Sequence, residues 1–391
     1  MSHLMQTLQA LNALSELVDA MDREEKLREC VRREHVPFLE TRFRTFEEYL
    51  SSQTPDSFLH YTRLFPSEFE DLHARLEPCL TRGRNHIAPL TSRHRLCIFL
   101  RYVGHGSHYG SLAEDLSCGA TTVSKVVMEV SNSINRVLRA DAIPAITRQS
   151  LIDTSVKAQH RYDYPRAVGF MDGKHIALKK PAHSGSTYWN YKSFYSIILL
   201  AVCDCDYNFI SFDVGSPGRA GDAGVFRNSD IKDFFENNDH LFPEAAPLSD
   251  VGEVQYHILV DGGFGMSHRY IRPYAETANS DESQRRFNAK HSGARRMIES
   301  SFGILVRRFA ILQKAMQVEP KKAAKIVKSL IILHNLLARR QDVLATSERF
   351  SMPNTHEAFA PLQPMPRGGG PDSAKEARNR LKTYYENLYG V

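Results

Sequence analysis

The sequence has few cysteines and no long apolar run, and each absence excludes a class of protein. Its six cysteines are spread over 391 residues without a C-x-x-C pair, which excludes a zinc clip and a disulfide framework and predicts reduced, structural thiols. No stretch approaches the ~20 consecutive apolar residues of a membrane span, and the N-terminus lacks the pattern of a secretory signal. With 42% hydrophobic residues, the chain is expected to be globular, intracellular, free of a membrane partner and large enough for two domains.

The chain also has only a small excess of positive charge, with a net charge of +5. The distribution of charge is therefore more informative than the total. Basic residues crowd the segment 290–328, whose acidic members are Glu299 and Glu319. This crowding predicts a surface for a phosphate backbone, with a solvated helix face as the alternative for 321–328. The candidate contacts in this segment are Arg295, Arg296, Arg307 and Arg308.

Four acidic residues lie where strands and a helix could bring them together: Asp172, Asp222, Asp261 and Glu299. Asp172 and Asp261 each follow an apolar run typical of a buried strand, and a glycine follows each of them. Glu299 lies beside the apolar stripe of a predicted helix, 293–309. For any one aspartate alone, an ordinary turn is the alternative.

Clustered carboxylates repel one another, so a cluster of this kind predicts a cation between its members. Carboxylate oxygens suit Mg²⁺ or Mn²⁺. Two such ions favour phosphoryl transfer, because together they stabilise the attacking and leaving oxygens. We therefore expect two divalent ions as cofactors.

Six blocks of sequence resemble the PIF/Harbinger transposases and the nucleases derived from them. In order, the blocks are G-F-M-D-G-K-H-I-A-L-K-K-P, Y-W-N-Y-K-S-F-Y-S-I, F-D-V-G-S-P-G-R-A-G-D-A-G-V-F-R-N-S, L-V-D-G-G-F, R-F-N-A-K-H-S-G-A-R-R-M-I-E-S-S-F-G-I-L-V-R-R-F and L-H-N-L. The resemblance implies an Asp-Asp-Glu triad of Asp172, Asp261 and Glu299, with Asp222 as an accessory fourth metal ligand. It also implies an RNase H-like fold.

Helical patterns dominate the N-terminal part of the chain. Residues 3–34 carry an apolar stripe, and 56–140 is expected to form shorter helices. Within the latter, L-A-E-D-L, a Cys-Gly turn and T-T-V-S-K-V-V predict a helix-turn-helix-like unit whose second helix offers Thr121, Thr122 and Lys125 to DNA. Ordinary packing of a short helix pair is the alternative.

Extended patterns begin at Ala167, with predicted strands at 167–179, 195–204, 209–214 and 255–260, and helices at 293–309 and 323–340. We predict an α/β, RNase H-like catalytic domain, with a mixed sheet flanked by helices, after an all-helical region. The expected organisation is an N-terminal helical segment (1–55), a DNA-binding region (56–150), a nuclease domain (151–345), and a linker with a C-terminal helix (346–391). That last helix is expected to dock on the body or on a partner.

Three residues have alternative roles. His175 follows D-G-K and could contact phosphate or serve the structure, and Trp189 could stack on DNA, although packing in the core is favoured. Lys192, in W-N-Y-K, is a candidate DNA contact.

The predicted function is metal-dependent cutting and joining of transposon DNA. The alternative is a domesticated nuclear protein that binds DNA or chromatin without transposition. The resemblance also implies a separate Myb-like DNA-binding partner that assists nuclear entry. The sequence agrees with this expectation, since it has no dense Lys/Arg cluster that would make a nuclear signal of its own obvious. A nuclear location with a cytoplasmic pool, transposon-end and target DNA as partners, and a homo-oligomer complete these expectations.

Overall fold

The computed structural model describes residues 39–83, 89–275, 280–338, 359–361 and 371–390, with backbone alone at 39–45, 222–223 and 359–361. The predicted helix 3–34 lies outside this part of the chain. The described residues divide into two compact units: those up to 100 with 108–130, and 101–107 with those after 130. Where the chain is described, no helix is long and apolar enough to cross a membrane. The five described cysteines form no disulfide bond, as predicted.

The first unit is helical, as predicted for this part of the sequence. Its helices are α1 (Leu39–Ser52), α2 (Pro55–Thr62), α3 (Pro66–Leu80), α5 (Tyr109–Asp115) and the first parts of α4 (Ser92–His105) and α6 (Ala120–Val137), whose last residues belong to the second unit. Thr54 begins α2, because its side-chain oxygen accepts the amide of Ser57 and Pro55 occupies the first helical position. The rings of Phe58 and Phe69 then pack edge to face in the core.

Two helices, α5 and α6, occupy the positions predicted for the helix-turn-helix-like unit, with residues 116–119 between them. The carbonyl of Gly119 accepts the amides of Thr122 and Val123, so the first turn of α6 starts from that glycine. Thr121 and Lys125 are exposed and Thr122 is half-buried. Groove reading by this pair stays a prediction.

In the second unit, the short helix α7 (Arg139–Ala142) and α8 (Arg148–Tyr162) precede the first strands. The strands β1 (Ala167–Ala177), β2 (Ser196–Cys203) and β3 (Phe209–Pro217) form an antiparallel meander. A separate small hairpin joins β4 (Ala246–Pro247) to β5 (Glu253–Val254). Next to β1, the strands β6 (His257–Leu259) and β7 (Tyr270–Ile271) run parallel to it. The order β3-β2-β1-β6-β7 gives a mixed sheet, as predicted, and is consistent with an RNase H-like domain.

Helices cover both faces of this sheet. On one face, Met171, Leu200 and Val202 pack with residues of α9 (Asp222–Arg227) and α10 (Asp230–Asn237). On the other face lie α11 (Glu282–Arg308) and α12 (Pro320–Ala338), where Phe302 packs against Phe209. All eight residues of β2 are buried, as expected for a strand covered on both sides.

Helix α11 begins eleven residues before its predicted start at Gly293. Asp281 caps it by accepting the amide of Gln284 at 2.6 Å. The prediction failed there because the buried face of 282–292, formed by Ser283, Phe287, Asn288 and His291, is polar except for Phe287 and gives no apolar stripe.

The C-terminal segment docks on the body. Helix α13 (Asp372–Tyr389) packs on α11 with Leu381 and Tyr385 buried, and the Tyr385 hydroxyl donates to the carbonyl of Asp163 at 2.8 Å. The predicted linker needs a correction as well, because within it β8 (Phe359–Pro361) pairs with β1, Lys174 lying opposite Pro361. An unpaired edge on β1 recruits that strand.

Candidate active site

Two of the predicted acidic residues come from neighbouring parallel strands. The last paired residues of the two strands are Phe170 of β1 and Leu259 of β6, so Asp172 and Asp261 each lie two residues beyond that pair. The carbonyl of Asp261 accepts the amide of Phe264 at 3.1 Å, and a turn begins there. The register therefore directs both aspartates toward the same end of the β1–β6 pair.

Arg295 of α11 connects the third predicted member of the triad to the first. Its Nη2 lies 2.6 Å from Glu299 Oε1, one turn along the same helix, and its Nη1 lies 3.6 Å from Asp172 Oδ2. Helical spacing of four residues puts Arg295 and Glu299 on one face. The Asp172 side chain is 10% exposed and that of Glu299 is 45% exposed, so one end of this bridge is buried and the other meets solvent.

Lys174 supplies a second cation to Asp172, with 2.9 Å between Nζ and Oδ2. The two residues share a face of β1 because side chains alternate along a strand. The Lys174 ammonium also lies 5.8 Å from the centre of the Phe302 ring on α11. A nearly buried carboxylate without partners would cost several kcal/mol. Lys174 and Arg295 together offset this cost.

Asp222 is the first residue of α9, which follows β3, and Gly221 precedes it in extended conformation. Only the backbone of Asp222 belongs to the described structure. Its predicted role as a fourth metal ligand stays a prediction.

Among the side chains that the structure describes, no three His, Cys, Asp or Glu residues gather closely enough to hold a metal ion. The Asp222 side chain lies outside that set, so the four-carboxylate cluster stays a prediction. The charge of Asp172 is balanced by Lys174 and by the guanidinium that also binds Glu299.

Buried histidines support the site. His291 of α11 is fully buried and shares a hydrogen bond of 3.0 Å with the carbonyl of Ile271 in β7. Its pKa is lowered to about 3, chiefly by burial and in smaller part by Arg295, whereas the hydrogen bond to Ile271 and the nearby charge of Asp261 act in the opposite direction. His291 is therefore neutral near pH 7 and fixes α11 against the sheet.

The segment after β1 forms a rigid turn. Asn190 is buried; its Oδ1 accepts the amides of Lys192 and Phe194, and its Nδ2 donates to Ser196 Oγ at 3.0 Å. Ser196 Oγ also lies 3.0 Å from His175 Nδ1. Burial lowers the pKa of His175 to about 4. Of its two predicted roles, the structure therefore supports the structural one.

The basic residues predicted to contact DNA fall into two groups. Arg296, Arg307 and Lys192 are exposed, so DNA contact stays a prediction for them. Arg295 is occupied by Asp172 and Glu299, and Arg308 is only 4% exposed. Because it is buried, the Arg308 side chain cannot contact a DNA phosphate in this conformation.

Sequence reasoning missed two features of the site. It did not identify Lys174, although the two-residue spacing from Asp172 in a strand is a signal for a shared face. It also favoured a core position for Trp189, which is 42% exposed. No signal in the sequence distinguishes an exposed tryptophan from a buried one here.

Several known proteins are similar in sequence to this part of the chain. Residues 171–335 match a family described as "DDE superfamily endonuclease". The chain is 26% identical to "Protein ALP1-like" of Arabidopsis thaliana over 65% of its own length and 62% of that protein, hence less than two thirds of it. It is 25% identical to "Putative nuclease HARBI1" of Homo sapiens over 75% of its own length and 81% of that protein. The Xenopus laevis protein of the same name is 23% identical, with 78% and 84% covered.

No solved structure matches the chain. The matched segment runs from β1 through α12 and therefore includes Asp172, Asp261 and Glu299. Residues 171–335 of this chain match the DDE superfamily endonuclease family, and the chain is similar in sequence to the ALP1-like and HARBI1 proteins.

Proposed function

We propose that this chain is a metal-dependent DNA endonuclease of the PIF/Harbinger type, with Asp172, Asp261 and Glu299 as its catalytic carboxylates. One observation carries the proposal: Arg295 contacts both Asp172 and Glu299, and Asp261 follows β6, the strand that pairs with the one holding Asp172. The three acids come from a strand, the turn after a second strand and a distant helix of the matched segment. This arrangement supports a shared role.

The donor groups of these acids fit divalent cations. All three are carboxylates, the hard oxygen ligands that Mg²⁺ and Mn²⁺ prefer. A metal ion at Asp172 would have to displace Lys174 and Arg295 from its carboxylate. Asp172, Asp261 and Glu299 would hold two such ions, with Asp222 as the proposed accessory ligand. When bound, the ions would supply Lewis-acid stabilisation to the displacement at phosphorus.

The chain's own cations would then act on the DNA. Lys174 and Arg295, released from the carboxylates, would turn toward the oxygens of the phosphodiester, and the planar guanidinium suits two of those oxygens at once. Arg296 and Arg307 are exposed on the same helix and would hold the neighbouring phosphates. These residues bind and orient the scissile strand beside the carboxylates.

Strand transfer is the finer part of the proposal. Water would cut a transposon end, and the freed 3′-hydroxyl would attack target DNA, with a homo-oligomer holding two ends together. The alternative, a domesticated nuclear protein without transposition, needs no intact acidic triad. The presence of all three acids favours cutting.

A separate Myb-like DNA-binding partner and a nuclear location belong to the same proposal. The apolar face of α13 packs on α11, so that face is not the docking surface for a partner. The N-terminal stripe from Leu4 to Met21, which lies outside the described residues, is the proposed surface instead.

Nicking of supercoiled plasmid by the purified protein tests the nuclease. With Mg²⁺ or Mn²⁺, wild-type protein should nick DNA, and Asp261→Asn should reduce the rate at least 100-fold, on the order of a lost catalytic group. The matched control is Asp153→Asn, an exposed aspartate of α8, which should nick at the wild-type rate. Nicking by Asp261→Asn at the control rate would refute the proposed triad.

A further inference from the structure

Two large aromatic side chains stand exposed in the turn that follows β1. Trp189 is 42% exposed and Tyr191 is 41% exposed. Tryptophan is usually largely buried, because burial of a side chain of this size contributes about 1.5–3 kcal/mol or more. A pair of exposed aromatic residues in one turn therefore indicates a binding surface.

The turn that carries them is held firmly. Between the two aromatic residues, Asn190 is 3% exposed, and its side chain accepts the amides of Lys192 and Phe194 and donates to Ser196 Oγ. Gly218 packs closely against both ends of the turn. A Cβ atom added there would lie 2.1 Å from Ser196 Oγ and 2.7 Å from the carbonyl of Tyr188. Because these contacts fix the backbone, the aromatic rings are pre-organised for a ligand.

Cations accompany the rings. The Trp189 and Tyr195 rings meet edge to face at 4.9 Å, and Lys180 Nζ lies 5.9 Å from the centre of the Tyr195 ring. Lys192 Nζ lies 5.8 Å from the Tyr191 ring. Residues 178–203 contain three lysines and no acidic residue. Flat apolar rings flanked by positive charge fit a planar base that carries a phosphate.

We propose that residues 188–195 form a stacking platform for an unpaired base of the DNA strand. The proposal rests on the proposed nuclease function and specifies its substrate as DNA that is single-stranded or locally opened near the cut. A base in a duplex has both faces covered by its neighbours. A duplex could therefore contact the lysines of the platform through its phosphates, but its bases could not stack on the aromatic rings.

The strand register gives the platform a position relative to the carboxylates. Ser196, which follows the turn, pairs with Ala177, and Asp172 lies five residues back along β1. At about 3.4 Å per residue, this separation is about 17 Å. The platform therefore adjoins the end of β1 rather than the position of Asp172.

The fluorescence of Trp189 tests the platform directly, because it is the single tryptophan of the chain. We would titrate the full chain in EDTA with a 20-mer of thymidylate, with a blunt 20-base-pair duplex, and with that duplex carrying three unpaired bases. Stacking predicts quenching by the single strand and by the opened duplex, and much weaker quenching by the blunt duplex. Equal quenching by the blunt duplex, or none by the single strand, would overturn the proposal.

Variants extend the test. Trp189→Ala should weaken binding of the single strand about 5-fold to 150-fold, as expected for loss of one stacked base. Trp189→Phe, which keeps an aromatic face, should recover most of the affinity, and the exposed aromatic Tyr49→Ala is the matched control. Equal affinity of Trp189→Ala and the control would contradict stacking. Since neither metal nor cleavage enters this measurement, it is decided independently of the nicking assay with Asp261→Asn.

Discussion

Lys174 lies two residues after Asp172 on β1, and its ammonium group is 2.9 Å from the Asp172 carboxylate. Both side chains are largely buried, with 14% and 10% exposed. The pair holds a negative charge in place next to Arg295. Any cation that binds Asp172 must compete with this ammonium group.

Lys174→Met should destabilise the metal-free protein by about 1–3 kcal/mol, because a nearly buried carboxylate loses its nearest partner. Urea unfolding in EDTA measures this change. Mg²⁺ should then raise the unfolding midpoint of the variant more than that of the wild type. Asp172→Asn in the Lys174→Met background should restore part of the stability, and a midpoint unaffected by Lys174→Met would contradict the pairing.

Arg296→Gln together with Arg307→Gln should weaken binding of unrelated duplexes about equally. The dependence of log K on log salt should flatten by about 1 per lost phosphate contact, hence by about 2 for the pair. The matched control is Arg285→Gln, an exposed arginine near the other end of the same helix. A salt slope equal to that of the control would mean that the two arginines do not contact phosphate.

Histidine burial should make stability fall in mild acid. His334 is fully buried, and burial lowers its pKa to about 4, below the value of about 6.5 in an unfolded chain. The unfolded state therefore binds the extra proton first. The stability contributed by neutral His334 is complete above pH ~6.5 and is lost as the pH falls toward 4.

His334→Gln keeps a donor for the carbonyl of Tyr207, which lies 2.9 Å from His334 Nε2. Between pH 6 and pH 4.5, roughly, its free energy of unfolding should depend on pH less steeply by about 1.4 kcal/mol per pH unit. Urea titrations at several pH values measure the slope, with exposed His160→Gln as the control. Equal slopes for His334→Gln and the wild type would refute the prediction.

Gly218→Ala should displace the turn that carries Trp189. The added Cβ would meet Ser196 Oγ at 2.1 Å and two backbone carbonyls at 2.7 Å. We expect a loss of about 1–3 kcal/mol in stability and of the fluorescence response to single-stranded DNA. Gly303→Ala is the control, because nothing lies within 4 Å of its Cβ and a helical alanine is favourable. A fluorescence response retained by Gly218→Ala would contradict the dependence of the platform on this contact.

Local pattern and strand order were enough to predict much of this domain. The strands around Asp172 and Asp261 could be predicted because buried strands give continuous apolar runs that end at polar residues. The link between Asp172 and Glu299 through Arg295 could not, because it depends on side-chain conformations across a long separation in sequence. The exposure of Trp189 depends likewise on Asn190 and Gly218, which hold its neighbours in place.

The pairing of β1 with β6 has a kinetic consequence. Asp172 and Asp261 are 261 − 172 = 89 positions apart in the chain. Closing so long a segment costs conformational entropy before the contacts between β1 and β6 can form and offset that cost. Helices, in contrast, form from local contacts. During refolding, helical circular dichroism should therefore recover before the amide of His257, which donates to the carbonyl of Arg166 just before β1, resists hydrogen exchange. The end of the β1–β6 pair, where Asp172 and Asp261 lie, is expected to be among the last parts of the molecule to form.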